Sequence, residues 1–220
     1  MTTIGTRQLT CAVCGHTDRF TVLASSNRFG APDLDSRPPE MLRSTIRLWI
    51  QTCPVCGYCA PDVSQPPPPG AADLVRSSAY QALLNRPDMP RLANQFLCWA
   101  SLQDVSDPVR AGWARLHAAW ACDDAGNQTA ARACRLQAAE IWQRALDTGA
   151  QLLPETGADY ALLTDLLRRA GQFEAAQAMC EKGLAQTPGQ PVHAILKFQQ
   201  ILLARQDTAC YSVAEALGTQ

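Results

Sequence analysis

Histidine and lysine are close to absent from this chain, which carries three of the first and 19 Lys plus Arg in 220 residues, with lysine only at positions 182 and 197. So little imidazole limits acid–base chemistry near neutral pH. No Ser-His-Asp ordering, nucleophile elbow, phosphate-binding loop or Gly-x-Gly-x-x-Gly stands in the sequence. The expectation is a protein that is not an enzyme. Charge is sparse as well, at 18% of residues with a net charge of −1. That balance makes no electrostatic bid for nucleic acid or anionic lipid. Residues 1–60 hold six Arg against four acidic residues, far short of a groove that tracks phosphates. No run approaches the ~20 apolar residues of a membrane span, and "MTTIGTRQLTC" lacks the apolar stretch of a signal peptide. The expected location is therefore cytoplasmic, with no membrane partner. There, ten cysteines are reduced, metal-bound or buried, and not a disulfide framework.

What the chain does have is cysteine in a pattern. Five of the ten fall within residues 11–59, while Cys98, Cys122, Cys134, Cys180 and Cys210 are scattered singly. Cys11 and Cys14 ("CAVCGH") match Cys53 and Cys56 ("CPVCGY") in spacing and in the Gly that follows the second Cys. In a metal-binding knuckle the chain turns so that backbone N–H groups face the sulfurs. A residue there takes positive φ most readily as Gly. Two knuckles supply four thiolates, the ligand set of one closed, structural Zn2+ site. A redox dithiol would need its Cys-x-x-Cys at a helix start within an α/β fold, and no βαβ alternation exists here. Chance pairing of buried thiols at this spacing and context is disfavoured too. His16 and Cys59 stand close by as bystanders, the four matched cysteines already completing a tetrahedron.

"RFTVLAS" (19–25) and "STIRLWIQT" (44–52) are rich in β-branched and aromatic residues and read as strands. With the knuckles they form a zinc ribbon over residues 1–63, too small to fold without metal. "SQPPPPGAAD" then marks a Pro-rich linker, 64–71. Residues 72–220 read as helical, with candidate helices at 72–86, 89–102, 108–125, 128–148, 156–170, 173–186 and 190–205. Breakers such as Pro108, Gly126, Gly149 and Gly171 fall where helices should end. The fold class is thus mostly α: a small N-terminal four-cysteine β ribbon followed by antiparallel helical hairpins.

Residues 160–188 resemble a tetratricopeptide repeat in register. Tyr160 and Leu163 take the helix A positions, Gly171 and Phe173 the turn, Ala176 the small crossing position, and Leu184 and Pro188 the close. A looser copy covers 112–146, with Gly126 at the turn, Ala131 at the crossing and Arg135 where an apolar residue is usual. Trp113, Trp120 and Trp142 read as core pillars, and the helical cysteines as small packing residues. His117 and His193 have no ligand partner at metal spacing. Tyr211, Val213, Ala214 and Leu217 form a short apolar stripe that fits a final helix.

"CAVCG", "SSNRFGAPDLDSRPPE", "CPVCGY" and "RLHAAWACDDAGN" together resemble the bacterial family filed as domain of unknown function 2225. The likeness runs from about Leu9 to Leu146. It implies a metal-binding ribbon joined to a tetratricopeptide-like region and implies no activity. The sequence departs from the pattern at Ala12 and Cys59, neither of which removes a ligand. The loop between the ribbon halves sets Asp33, Asp35 and Glu40 among Arg28, Arg37 and Arg43. It reads as a salt-bridged loop packing the ribbon onto the helices, with a partner-binding or second metal site as the sharper alternative.

Three functions fit these features. The favoured one is a zinc-stabilised interaction or adaptor module with a protein or peptide partner. The second is a nucleic-acid-binding ribbon using Arg19, Arg28, Arg43 and Arg47. The third is a thiol or zinc-release sensor centred on Cys53, Cys56 and Cys59.

Overall fold

Threonine and β-branched residues open the chain, and they form a hairpin. In the computed structural model, which describes residues 1–219, β1 (Thr2–Thr10) pairs antiparallel with β2 (Thr17–Ser26). The register sets Thr10 opposite Thr17 and Arg7 opposite Phe20, with a bulge between Thr3 and Ile4. No residue of either strand is buried, so the hairpin projects from the molecule and is held at its base. The first knuckle is that base: residues 11–16 join the two strands.

The strand expected over 44–52 does not form. Arg43–Leu48 makes a 3-10 helix, and β3 is confined to Gln51–Thr52, paired with β4 (Cys59–Ala60). The reason is spacing. Ile46 and Ile50 are both buried, four residues apart, which places them on one face of a helical turn and on no alternating strand. Trp49 reinforces the turn by donating its indole N–H to Thr45 Oγ1, four residues back, at 2.8 Å.

Helices occupy the rest. They run α1 (Ala71–Arg76), α2 (Ser78–Leu84), α3 (Arg91–Gln103), α4 (Pro108–Asp124), α5 (Gln128–Asp147), α6 (Ala158–Arg169), α7 (Phe173–Ala185), α8 (Val192–Ala204) and α9 (Val213–Leu217). The single helix expected over 72–86 is two. Ser77 adopts extended backbone and accepts a hydrogen bond from the Tyr80 N–H, capping α2, as a serine does when it competes for a helix's free N–H groups. The expected mostly helical fold with a small β unit at the N-terminus is the observed one.

α4 with α5, and α6 with α7, form antiparallel hairpins with the same turn. Residues 125–127 are Ala-Gly-Asn and 170–172 are Ala-Gly-Gln. In each the last residue donates back to a carbonyl five residues earlier, Asn127 to Cys122 O and Gln172 to Leu167 O, both at 2.9 Å. This is the 6→1 bond of a Schellman stop. Small residues line these helices: Ala111, Ala114 and Ala118 of α4 and Ala131 and Ala138 of α5 are all buried. Gly112 sits where a Cβ would lie 2.0 Å from Trp142 Nε1. That indole in turn donates to Val109 O at 3.0 Å. Trp120 and Trp142 are buried pillars as expected, whereas Trp113 is half-buried.

The hydrophobic core is continuous from the ribbon into the helices. Tyr58, Cys59, Ala60 and Val63 share one cluster with Tyr80, Phe96 and Cys98. At the far end the tail folds back. The Leu34 N–H donates to Tyr211 O at 2.9 Å and the Val213 N–H to Pro32 O at 2.8 Å. The apolar stripe of the tail does become a helix, though a five-residue one, and Tyr211 packs edge-on against Phe198.

Candidate metal centre

The two knuckles are built alike, bond for bond. Cys11 N–H donates to His16 O at 2.8 Å and Cys53 N–H to Tyr58 O at 2.9 Å. Gly15 N–H returns to Cys11 O at 2.8 Å and Gly57 N–H to Cys53 O at 3.0 Å. Both glycines lie at positive φ, 75° and 79°, the conformation that a Cβ would strain. Gly57 is further confined, since a Cβ there would meet Leu84 at 2.8 Å.

These turns bring Cys11, Cys14, Cys53 and Cys56 together, with all four Sγ atoms within 4.8 Å of one another. Cys11 lies 3.8 Å from Cys56 and Cys14 lies 3.6 Å from Cys53, sulfur to sulfur. A tetrahedron with metal–sulfur bonds of about 2.3 Å has edges of about 3.8 Å. The four cysteines are therefore positioned to hold a single metal ion. The donor set fits: four soft sulfurs, a closed geometry, and no position left for an added ligand.

Electrostatics around the sulfurs point the same way. Burial pushes the Cys11 thiol up, against the pull of the Cys14 and Val13 N–H groups. Burial also raises Cys56, with the Tyr58 N–H opposing it. At Cys53 burial again acts upward, but the N–H groups of Cys56 and Val55 outweigh it and the thiol is lowered. Backbone N–H groups thus face these sulfurs, as knuckle geometry requires, while a buried cluster of four thiols resists ionising without a cation among them.

The scaffold behind the second knuckle comes from the helices. Tyr80 Oη accepts from Cys59 N–H at 3.0 Å and donates to Gly57 O at 3.2 Å. Gln81 Nε2 donates to Cys56 O at 3.2 Å, and Ala12 N–H ties the first knuckle to Val63 O at 2.9 Å. His16 and Cys59 stand outside the cluster. His16 faces Asp18 at 4.0 Å. Cys59 is fully buried, with its sulfur at 3.3 Å from both Thr52 Oγ1 and Gly57 O. It presents no accessible thiol beside the site.

The Asp/Arg loop reaches further than its own residues. Asp33 pairs with Arg43 at 2.5 Å inside the loop. Asp35, fully buried, accepts from Trp120 Nε1 at 2.9 Å and from Arg169 Nη1 at 2.6 Å. Arg37 reaches Asp124 at 2.7 Å. Arg135, the residue that interrupts the apolar pattern of its helix, is buried against Asp123, which Arg169 also holds at 3.0 Å. Glu40 bonds Ser44 at 2.6 Å, and Arg28 is exposed. Among the described residues, neither Asp33 nor Asp35 belongs to a group of potential metal ligands. Of the four arginines proposed for nucleic acid, Arg43 is engaged by Asp33 and by Pro38 O, while Arg19, Arg28 and Arg47 are exposed.

β1, Tyr80, Gln81, Trp120 and Arg169 were not legible as parts of this assembly. "TTIGTRQLT" carries a strand-like density of threonine that could have marked β1, but no local signal pairs Asp35 with a residue more than a hundred positions away. No helix is long and apolar enough to cross a membrane among the described residues. No protein-family model, no curated protein and no solved structure matches the chain.

Proposed function

We propose that this chain is a zinc-stabilised interaction module without catalytic activity. Cys11, Cys14, Cys53 and Cys56 would hold one structural Zn2+, whose chemistry there is that of a closed Lewis-acid cross-link. The observation that carries the reading is the sulfur geometry, four Sγ within 4.8 Å of one another on two identically bonded knuckles. Four thiolates leave zinc no open coordination position for a substrate, and this supports a structural role over a catalytic one. The ion would fasten residues 1–63 against a helical body whose paired hairpins present a surface to a protein or peptide partner. The tetratricopeptide-like reading and kinship with domain of unknown function 2225 rest on the residues already quoted. Placement in the cytoplasm is consistent with four reduced cysteines.

The test is capture by zinc-loaded full-length protein at low and high salt. A specific protein that survives high salt supports the module. Repeatedly empty captures, together with retardation of RNA or DNA that weakens steeply with salt, would replace it with a nucleic-acid ribbon.

A further inference from the structure

The tryptophans outline a second candidate site, none of whose lining residues is one of the four clustered cysteines. The chain has five, and three of their indole N–H groups are used inside the protein: Trp49 to Thr45, Trp120 to Asp35 and Trp142 to Val109 O. Trp99 and Trp113 have no hydrogen-bond partner for theirs among the described residues. Both line one cavity of about 430 Å3, together with Trp49, Phe96, His117 and Arg110. Neither N–H is a buried atom without a partner, so both are open to solvent and free to donate to a guest in the hollow.

The rest of the lining narrows what that is. His117 stands 5.3 Å from Trp49 and from Phe96, edge to face, and 4.9 Å from Trp120. Neither of its ring nitrogens has a partner among the described residues. Burial holds the imidazole well below its usual range, at about 4, so it is neutral at neutral pH and contributes no charge. Among the described residues, Arg110 is the sole formal charge lining the cavity. Asp107 caps α4 and reaches Arg110 Nε at 3.4 Å, but it does not line the cavity, and neither Nη group has a partner among the described residues. Aromatic walls without a carboxylate, beside a cation, disfavour a cationic guest that a bare aromatic cage would hold.

We propose that this cavity binds a small arylacetate, a flat aromatic ring that carries its carboxylate on a one-carbon arm. Its ring lies among Trp49, Phe96, Trp99 and Trp113. Its carboxylate accepts from the free indole N–H groups and from the Arg110 guanidinium. The volume lies within the range of about 300–1,000 Å3 usual for small-molecule sites, and the polar groups of its lining are few. The site stands on α3, α4, Trp49 at the end of the 3-10 turn and Pro61 after β4, and none of its walls is a candidate metal ligand.

Calorimetric titration with three matched probes tests it: phenylacetate, phenylacetamide and phenethylammonium. Phenylacetate is expected to bind one to one and about tenfold or more tighter than the amide, with the cation weakest. Arg110→Ala, at an exposed position, should remove about tenfold of that preference and leave the amide unchanged. Trp99→Phe, which keeps a ring and deletes the N–H, should weaken phenylacetate selectively. Three outcomes overturn the proposal: no saturable binding of phenylacetate across the millimolar range, equal affinity for all three probes, or tighter binding of a peptide ending in phenylalanine, which would make the cavity a dock for a chain terminus.

Discussion

Asp35 shows how a single carboxylate can fasten distant parts of a chain. It sits fully buried on the loop, with Trp120 of α4 and Arg169 of α6 as partners and Arg135 of α5 at 3.8 Å. Removing one member of a buried ionic group leaves the others charged without a partner, which costs about 3–5 kcal/mol. Asp35→Ala should lower unfolding stability by about that much in urea, while Asp35→Asn, which can still accept from Trp120, should lose less. Equal stability of both variants and wild type would show that the network fastens nothing. Arg169 agrees in direction: burial opposes its charge, yet Asp35 and Asp165 raise its affinity for the proton above the usual arginine value. The sequence displayed these charges as alternating neighbours and so suggested pairing within the loop. Only the Asp33–Arg43 pair is of that kind, because the rest depends on helices that approach the loop from over eighty residues away.

His117 gives a residue-scale prediction with a sign. Its imidazole is held down to about 4 by burial, with the charge of Asp35 acting in the opposite direction. In the unfolded chain a histidine titrates near about 6.5, so between those values the unfolded state binds more protons. The buried neutral ring costs nothing above about pH 6.5, and its penalty accumulates as pH falls from there toward 4, reaching on the order of 3 kcal/mol. His117→Phe should flatten the loss of stability across that window relative to wild type. Comparing the two proteins removes any common contribution from protonation of the cysteine cluster. An unchanged slope would contradict the burial of this ring.

At the scale of elements, periodicity and breakers foretold α3 through α8 to within a few residues, because long amphipathic runs ending in Gly or Pro leave little choice. They failed where elements are short. Ser77 splits the first predicted helix by capping the second half, and Ile46, Thr45 and Trp49 make a 3-10 turn from residues whose composition favoured a strand. Strand preference is a statement about fitting a half-buried pleated surface, and no such surface exists there. The two hairpins share a turn, yet Gly126 and Gly171 lie forty-five positions apart, more than the ~34 of a tetratricopeptide unit. The excess comes from the 20-residue α5 and the connection after it. Gly112 is where α4 and α5 come closest. Gly112→Ala would drive a methyl into the Trp142 indole, so it should destabilise by about 3 kcal/mol or more. Thermal melts and the near-ultraviolet circular dichroism of Trp142 would record this. A neutral result would mean that the two helices have room to separate.

The whole molecule is closed at both ends. The second knuckle is pinned by Tyr80 and Gln81 from α2, the loop by α4, α5 and α6, and the tail by Arg168, buried beside Asp165 at 2.7 Å and donating to Ala209 O at 2.9 Å. The four candidate ligands were legible because their chemistry is local: each knuckle is a short motif, and the two resemble each other. The helical supports, the open indoles and the tail contacts were not, since each depends on packing across the chain. A metal in the knuckles would hold together a ribbon with few buried residues of its own, and through Tyr80 it would also steady the helices.

Native mass spectrometry of full-length protein purified without added metal or chelator tests the central claim most directly. The account predicts one zinc per chain in wild type and none in a Cys53→Ser, Cys56→Ser double variant. A wild-type spectrum without zinc, and lighter by about two daltons for each disulfide formed, would contradict it and make the two Cys-x-x-Cys pairs redox elements.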